Sequence, residues 1–148
     1  MNSDQQYCFT HSSGEDIYLF ALRNTKGNEV LITNYGATIT SMKLRKADGS
    51  FNDIVLGFDK VEDYCSEKYL QQYIWMGGAI GRYANRIKDA TCFIDGKKIQ
   101  LSKNRNNDQL HGGEIGFDKK IWQVASFDAA KNELELRYKS PDGEEGFP

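Results

Sequence analysis

Short segments in which apolar and polar residues alternate, separated by turns rich in glycine and asparagine, recur along the chain. A period of two places every second side chain on the same face, as in a half-buried β-strand. The pattern predicts strands over residues 16–23, 29–35 and 37–45, with TKGN, NYG and KADGS as the breaks. The first 58 residues are therefore expected to form an antiparallel meander that ends in DIVLGF.

Two later segments favour the same interpretation. ELELRYK, residues 133–139, alternates most regularly, with leucine and tyrosine on one face and charged residues on the other. TCFIDGKKIQL is typical of a hairpin, because its Asp95-Gly96 pair suits a tight turn with positive φ at both central residues. The only predicted helix is a short turn within KVEDYCSEKY. Since no repeat or linker divides the chain, we expect an all-β, antiparallel fold with a single domain over residues 1–148.

The composition supports a globular protein and argues against two classes of partner. Hydrophobic residues make up 39% of the chain and aromatic residues 12%, which is enough for a core. The formal net charge is -2 and the signs are interspersed, so neither a nucleic acid nor an anionic membrane is expected as a partner. Without a signal-peptide pattern or a window near the roughly 18 apolar residues of a membrane helix, a soluble, cytoplasmic protein is expected.

The sequence offers little for a metal, a disulfide or a nucleophilic serine. The three cysteines are an odd number, widely spaced and without a CxxC pair, so we expect small buried hydrophobes. His11 and His111 lie one hundred residues apart in the chain, which argues against a metal site. No serine lies in a GxSxG motif. His11, in a polar segment, is predicted to be exposed.

Residues 77–116 concentrate glycine, asparagine and arginine in GGAIGRYANRI and KNRNNDQLHGGEIGF. Loops of this kind, held on a β scaffold, are where binding sites are commonly built. GGAIG superficially resembles a phosphate-binding loop, but no Lys-Ser/Thr pair and no helical pattern follow it. A close approach of backbone to backbone, or of backbone to ligand, is the favoured interpretation.

His111 follows a run of amide side chains, and Asn85 and Arg86 lie in the other polar loop. Amide, guanidinium and imidazole groups together suit a neutral, hydroxyl-rich ligand. Composition alone leaves a polyol-binding site and a structural loop histidine both open, and it favours the second. Glu144 and Glu145 are adjacent in SPDGEEGFP, and we expect them to be solvated rather than a catalytic pair.

Several motifs in a fixed order resemble the aldose 1-epimerases, a family also called galactose mutarotases. They are GRYANRI (residues 81–87), the FIDGKKIQL hairpin and LHGGxxGFDKKIW (residues 110–122). The family pattern is also similar to the segments on either side, NYGATITSMKLRKADGSFNDIVLGFDKVEDY before these motifs and SPDGEEGFP after them. The resemblance runs from about Leu19 onward, and several ordered motifs make it more specific than any single glycine signature.

This resemblance implies an enzyme that interconverts the α and β anomers of free aldohexoses such as galactose or glucose, with no cofactor and no metal. It implies a twisted antiparallel β-sandwich of the supersandwich type. By motif, Asn85 and Arg86 correspond to residues that hydrogen-bond sugar hydroxyls. His111 corresponds to a histidine that contacts the sugar near its reacting end.

Members of the family are considerably longer, and the resemblance places the principal acid, a second histidine, and the base, a glutamate, beyond Pro148. The chain is then an amino-terminal portion of the sandwich, with His111 in a supporting catalytic role and little activity on its own. Two alternatives stay open: a carbohydrate-binding module without catalysis, and a half-domain that needs a partner chain. Exposed strand edges of a partial sandwich are expected to favour self-association.

Overall fold

The computed structural model describes residues 4–72 and 74–148, and every strand pair in this part of the chain is antiparallel. The strands are β1 (Gln5–Thr10), β2 (Asp16–Arg23), β3 (Glu29–Thr33), β4 (Thr38–Arg45), β5 (Phe51–Asp53), β6 (Arg86–Ile87), β7 (Thr91–Ile94), β8 (Lys97–Gln100), β9 (Gln109–Leu110), β10 (Gln123–Asp128) and β11 (Glu133–Arg137). The α-helix α1 (Glu67–Leu70) follows a 3₁₀ helix at Val61–Cys65, and further 3₁₀ helices lie at Lys88–Ala90, Phe117–Lys119 and Glu144–Gly146.

Strands β1 to β5 form one sheet in chain order, which confirms the predicted meander. β2 covers the predicted residues, and its Ile17 and Phe20 are fully buried. β3 and β4 are shorter than predicted at the turn that joins them, because Gly36 and Ala37 both adopt positive φ there. The last strand of the sheet is β5, so the prediction that the meander ends in DIVLGF is wrong by several residues.

The two other predicted β segments are also confirmed. β7 and β8 pair as a hairpin, and Asp95 and Gly96 at its turn have φ of 50° and 75°. In β11, Leu134 and Leu136 are half-buried while the charged residues Glu133, Glu135 and Arg137 are exposed. The predicted short helical segment is present at Val61–Cys65 and α1.

The larger core cluster is aromatic and lies between the five-stranded sheet and the helical segment. Tyr64 and Tyr69 are buried with Ile17, and their rings pack edge to face at a centroid distance of 5.7 Å. Each such aromatic pair contributes about 0.5–1.5 kcal/mol beyond the area it buries. The Tyr69 hydroxyl also accepts a hydrogen bond from the Met76 N–H at 3.0 Å. The core thereby fixes the start of the glycine-rich loop.

All three cysteines are half-buried free thiols, and burial raises the pKa of Cys65 to about 11. His11 is half-buried rather than exposed as predicted, because its ring lies 5.9 Å from that of Tyr35. Within the described ranges, no helix is long and apolar enough to cross a membrane.

Candidate functional site

The two polar loops meet through the short strands β6 and β9. Arg86 pairs with Leu110 in this ladder, which places Asn85 and His111 at the same end of it. The backbone N–H of His111 donates to the carbonyl of Asn85 at 3.0 Å. His111, distant in sequence from the adjacent pair Asn85 and Arg86, is therefore their neighbour in the structure.

A glycine contact allows this close approach. Gly112 has a φ of +90°, and a Cβ at this position would collide with the carbonyl group of Gly81. Only a residue without a side chain fits both this conformation and this space. GGAIG and LHGG thus come together backbone to backbone, as the sequence predicts for the first of them.

The imidazole of His111 is held in a defined tautomer. The backbone N–H of Asn85 donates to His111 Nδ1 at 3.1 Å, so the neutral ring carries its proton on Nε2. Burial lowers the pKa of His111; the Asp118 carboxylate opposes this shift, and the positive charge of Arg86 reinforces it. At neutral pH the ring is therefore an uncharged donor at Nε2.

An aromatic side chain borders the imidazole. The rings of Trp75 and His111 have centroids 4.6 Å apart and planes inclined by 53°. The Lys119 ammonium lies 5.7 Å from the Trp75 ring centroid and is paired with the buried Asp118 at 3.1 Å. Burial raises the pKa of Asp118, and Lys119 opposes that shift. Trp75 was not predicted, because a single tryptophan beside a glycine-rich loop has no local signal of a site.

Asn85 and Arg86 supply exposed polar groups next to His111. Both side chains are solvent-exposed, and Arg86 Nη1 donates to Asn85 Oδ1 at 3.3 Å. A guanidinium carries five N–H donors in a fixed plane, so this contact leaves Arg86 able to bind further acceptors. The arrangement presents charged, amide and imidazole donors on one surface.

Two amides that the sequence places among candidate ligand-binding groups have an internal role instead. The Nδ2 group of the buried Asn104 donates to the carbonyls of Leu110 and Gly113 at 2.8 and 2.7 Å. Its Oδ1 accepts from the Leu110 N–H at 2.6 Å. Gln109 is only 1% exposed and donates to Ser102. Asn104 and Gln109 therefore support the loop that carries His111.

The prediction that Glu144 and Glu145 are solvated is wrong. Both are half-buried and their carboxylates accept internal hydrogen bonds, Glu144 from Tyr138 and Glu145 from the Ile115 N–H at 2.9 Å. Burial acts to raise the pKa of Glu144, but hydrogen bonds from Lys120 and neighbouring hydroxyls outweigh it, so the pKa is lowered. Positive φ at Gly143 and Glu145 turns the two side chains in different directions. Across the described residues, no group of three or more histidine, cysteine or acidic side chains is arranged to hold a metal ion.

Comparison with known proteins decides the family. The family model described as Aldose 1-epimerase matches residues 18–148. The chain belongs to the aldose 1-epimerase family. Among curated members, it is 40% identical to galactose mutarotase of Rattus norvegicus over 139 residues, which cover 93% of this chain and 37% of that protein. It is 37% identical to aldose 1-epimerase of Escherichia coli (strain K12) over 137 residues, 91% of this chain and 37% of that protein.

Solved structures of aldose epimerases have the same fold. Galactose 1-epimerase from Lactobacillus acidophilus NCFM superimposes with a TM-score of 0.76 at 28% identity, over 97% of this chain and 41% of that one. The GalM/aldose epimerase homologue from C. elegans superimposes with a TM-score of 0.76 at 26% identity, over 86% of this chain and 37% of that one. The expected all-β, antiparallel mutarotase-like fold is confirmed. The chain spans little more than a third of the length of the curated relatives above.

Proposed function

We propose that Asn85, Arg86 and His111 bind a free aldohexose such as galactose or glucose, and that this site serves the interconversion of its α and β anomers. The observation that carries the proposal is the hydrogen bond from the Asn85 N–H to His111 Nδ1, which leaves Nε2–H as a fixed donor beside an exposed guanidinium. Named relatives in the family include a galactose mutarotase and an aldose 1-epimerase, which supports a free sugar as ligand.

The chemistry of mutarotation accounts for these residue types. A proton is delivered to the ring oxygen while another leaves the C1 hydroxyl; the ring opens to an aldehyde, C1 rotates about its bond to C2, and closure occurs on the other face. His111 donates from Nε2 to an oxygen near the anomeric carbon and so stabilises charge that develops there. Arg86 and Asn85 bind hydroxyl groups, and the Trp75 ring offers an apolar surface to the sugar carbons.

A complete reaction needs a matched acid and base, each typically contributing about 10²- to 10⁴-fold. Glu144 and Glu145 do not provide that base, since internal donors already occupy both carboxylates. This observation favours the second candidate, sugar binding without catalysis, for a polypeptide of these 148 residues. In a longer family member, we infer that a second histidine and a glutamate supply the proton transfers and that His111 supports them.

Calorimetric titration with D-galactose and D-glucose tests the proposed site. Saturable binding to the wild type is expected, and Arg86→Ala should weaken it by about tenfold or more because a charged hydrogen bond is lost. Arg105→Ala is the matched control, because Arg105 is an exposed arginine in the other polar loop, and it should leave the affinity unchanged. Absence of binding to the wild type, or equal affinity in Arg86→Ala, would contradict the assignment.

Polarimetry of freshly dissolved α-D-galactose separates the two candidates. A sugar-binding polypeptide without its acid and base should leave the rate of mutarotation close to that of buffer. A rate comparable with that of a full-length aldose 1-epimerase would overturn the binding-only candidate and assign catalysis to these residues.

A further inference from the structure

We propose that Glu145 is a positioning residue that holds the loop bearing His111 in the geometry for sugar binding. The inference rests on the function proposed above and extends it to a residue more than thirty positions away in the sequence. Glu145 acts on the chain on both sides of His111: its carboxylate binds backbone N–H groups after His111, and its carbonyl binds the Gln109 side chain before it.

The carboxylate of Glu145 binds the chain just after His111. Its Oε1 accepts from the Ile115 N–H at 2.9 Å, and its Oε2 accepts from the Glu114 N–H at 3.1 Å. The hydroxyl of Ser102 donates to the same carboxylate. Three donors therefore converge on one anion, and hydrogen bonds to an ionised acceptor are about twice as strong as neutral ones.

The backbone of Glu145 binds the chain just before His111. Its carbonyl accepts from Gln109 Nε2 at 3.1 Å and from the Ser102 N–H at 3.0 Å. Gln109 belongs to β9 and is almost completely buried. Glu145 is thus bonded to residues at both ends of the His111 loop.

The loop and the carboxylate also fit against each other sterically. Gly113 has a φ of +113°, and a Cβ there would collide with the Glu145 carboxylate. Any side chain at this position would separate Glu145 from the loop. The carboxylate consequently lies directly against the backbone two residues beyond His111.

The segment that carries Glu145 is itself fixed to the rest of the structure. Phe147 is buried in a second apolar cluster with Ala90 and Leu101. Arg82, in the glycine-rich loop, donates to the carbonyls of Pro141 and Pro148 at 2.8 and 2.7 Å. Glu145 therefore joins the His111 loop, by hydrogen bonds, to a segment that is itself held in place by packing and by Arg82.

Glu144 provides a matched control, because it is adjacent and also half-buried but points away from that loop. Its carboxylate is paired with Lys120 at 2.6 Å and accepts hydrogen bonds from Tyr138 and Ser140. Substituting Glu144 removes the same charge from the same segment without touching the backbone around His111. Any effect on His111 that is specific to Glu145 then reflects positioning.

The test compares Glu145→Gln with Glu144→Gln by nitrogen-15 NMR of the histidine rings, amide hydrogen exchange and titration with D-galactose. In Glu145→Gln the new NH₂ group opposes one of the two N–H donors, so exchange at Glu114 or Ile115 should accelerate by about tenfold or more. The His111 ring should lose its strong preference for the Nε2–H tautomer, and galactose should bind about tenfold more weakly. Glu144→Gln should leave all three readouts close to wild type.

The outcomes separate the two proposals. If the wild type binds galactose and Glu145→Gln keeps both the affinity and the His111 spectrum, the positioning role is overturned. If the wild type does not bind galactose but Glu145→Gln alters the His111 tautomer, the proposed function fails and the positioning role is supported. Should Glu145→Gln not fold, Glu145→Asp decides, since it retains the charge but draws the carboxylate back by one methylene. Unchanged His111 signals in that variant would contradict the inference.

Discussion

The backbone N–H of Asn85 donates to Nδ1 of His111 across 3.1 Å, and the His111 N–H returns a bond to the Asn85 carbonyl. This reciprocal pair joins the two polar loops and sets the protonation pattern of the imidazole. A protonated ring would place a second hydrogen between the two nitrogens, where the Asn85 N–H already points. The neutral form is thus required for the observed geometry.

The first prediction concerns pH. Burial lowers the pKa of His111 in the folded protein, so folding favours the neutral imidazole. The contribution of the neutral imidazole to the free energy of unfolding is fully present above the ordinary pKa of about 6.5. It is lost as the pH falls through the lower pKa of the folded protein. Sugar affinity should fall over the same interval, since protonation breaks the bond from Asn85. A pH titration of the histidine ring signals measures this directly.

The chain has only two histidines, so His11→Gln assigns both sets of signals and serves as the control. This variant should retain the titration of His111 and the pH dependence of binding. A His111 pKa above 6.5, or sugar affinity that is constant from neutral pH to below that pKa, would contradict the account.

The second prediction concerns Asn104. Replacing it with alanine leaves the N–H and carbonyl of Leu110 without their side-chain partner in a buried environment, and should lower the free energy of unfolding by about 2–4 kcal/mol. Asn107→Ala, at an exposed position in the same run, should change it by less than about 0.5 kcal/mol. Urea denaturation provides both values, and similar values for the two variants would show that Asn104 does not support the loop.

The third prediction concerns Gly112. Alanine at this position meets the Gly81 carbonyl and should destabilise the protein by about 3 kcal/mol or more. Gly96→Ala is the control, because φ is also positive there but nothing lies within 4 Å of the added Cβ, so only the conformational cost of about 1–2 kcal/mol applies. Thermal unfolding of the two variants distinguishes the steric effect from the conformational one, and equal losses would refute the close approach.

The fourth prediction concerns self-association. Leu56 and Phe93 are large apolar side chains that are 80% and 70% exposed. We expect a polypeptide of these residues to associate with increasing concentration, and Leu56→Glu or Phe93→Glu to reduce that association. Ser12→Glu adds the same charge at an exposed polar position and should have little effect in sedimentation velocity. A monomer at all concentrations would contradict this expectation.

The strands were predictable wherever alternation was regular and turn residues were strong. β2 matches its predicted bounds, and the Asp95-Gly96 turn has the predicted conformation, because local sequence determines both. β1 was missed, since its register shifts between Tyr7 and Phe9 and most of its residues are exposed. A strand with neither regular alternation nor a buried face has little local signal.

Part of the candidate site was predictable from motifs, and the rest was not. The conjunction of Asn85, Arg86 and His111 follows from ordered motifs in the two loops. Glu145 was misread because its partners lie 30 or more residues away, and no local pattern reveals a carboxylate that binds distant backbone N–H groups. Trp75 is near His111 for the same reason, through tertiary packing rather than through sequence spacing.

The most direct test of the proposed site is the nitrogen-15 signal of His111 Nε2 during titration with D-galactose. The account predicts a single Nε2–H tautomer in the free protein and a saturable shift of Nε2 on adding sugar, with no change at His11 and a much weaker response in Arg86→Ala. A His111 signal that does not move at saturating galactose, or a titration midpoint that is the same in Arg86→Ala, would contradict the central claim that these residues form a sugar-binding site.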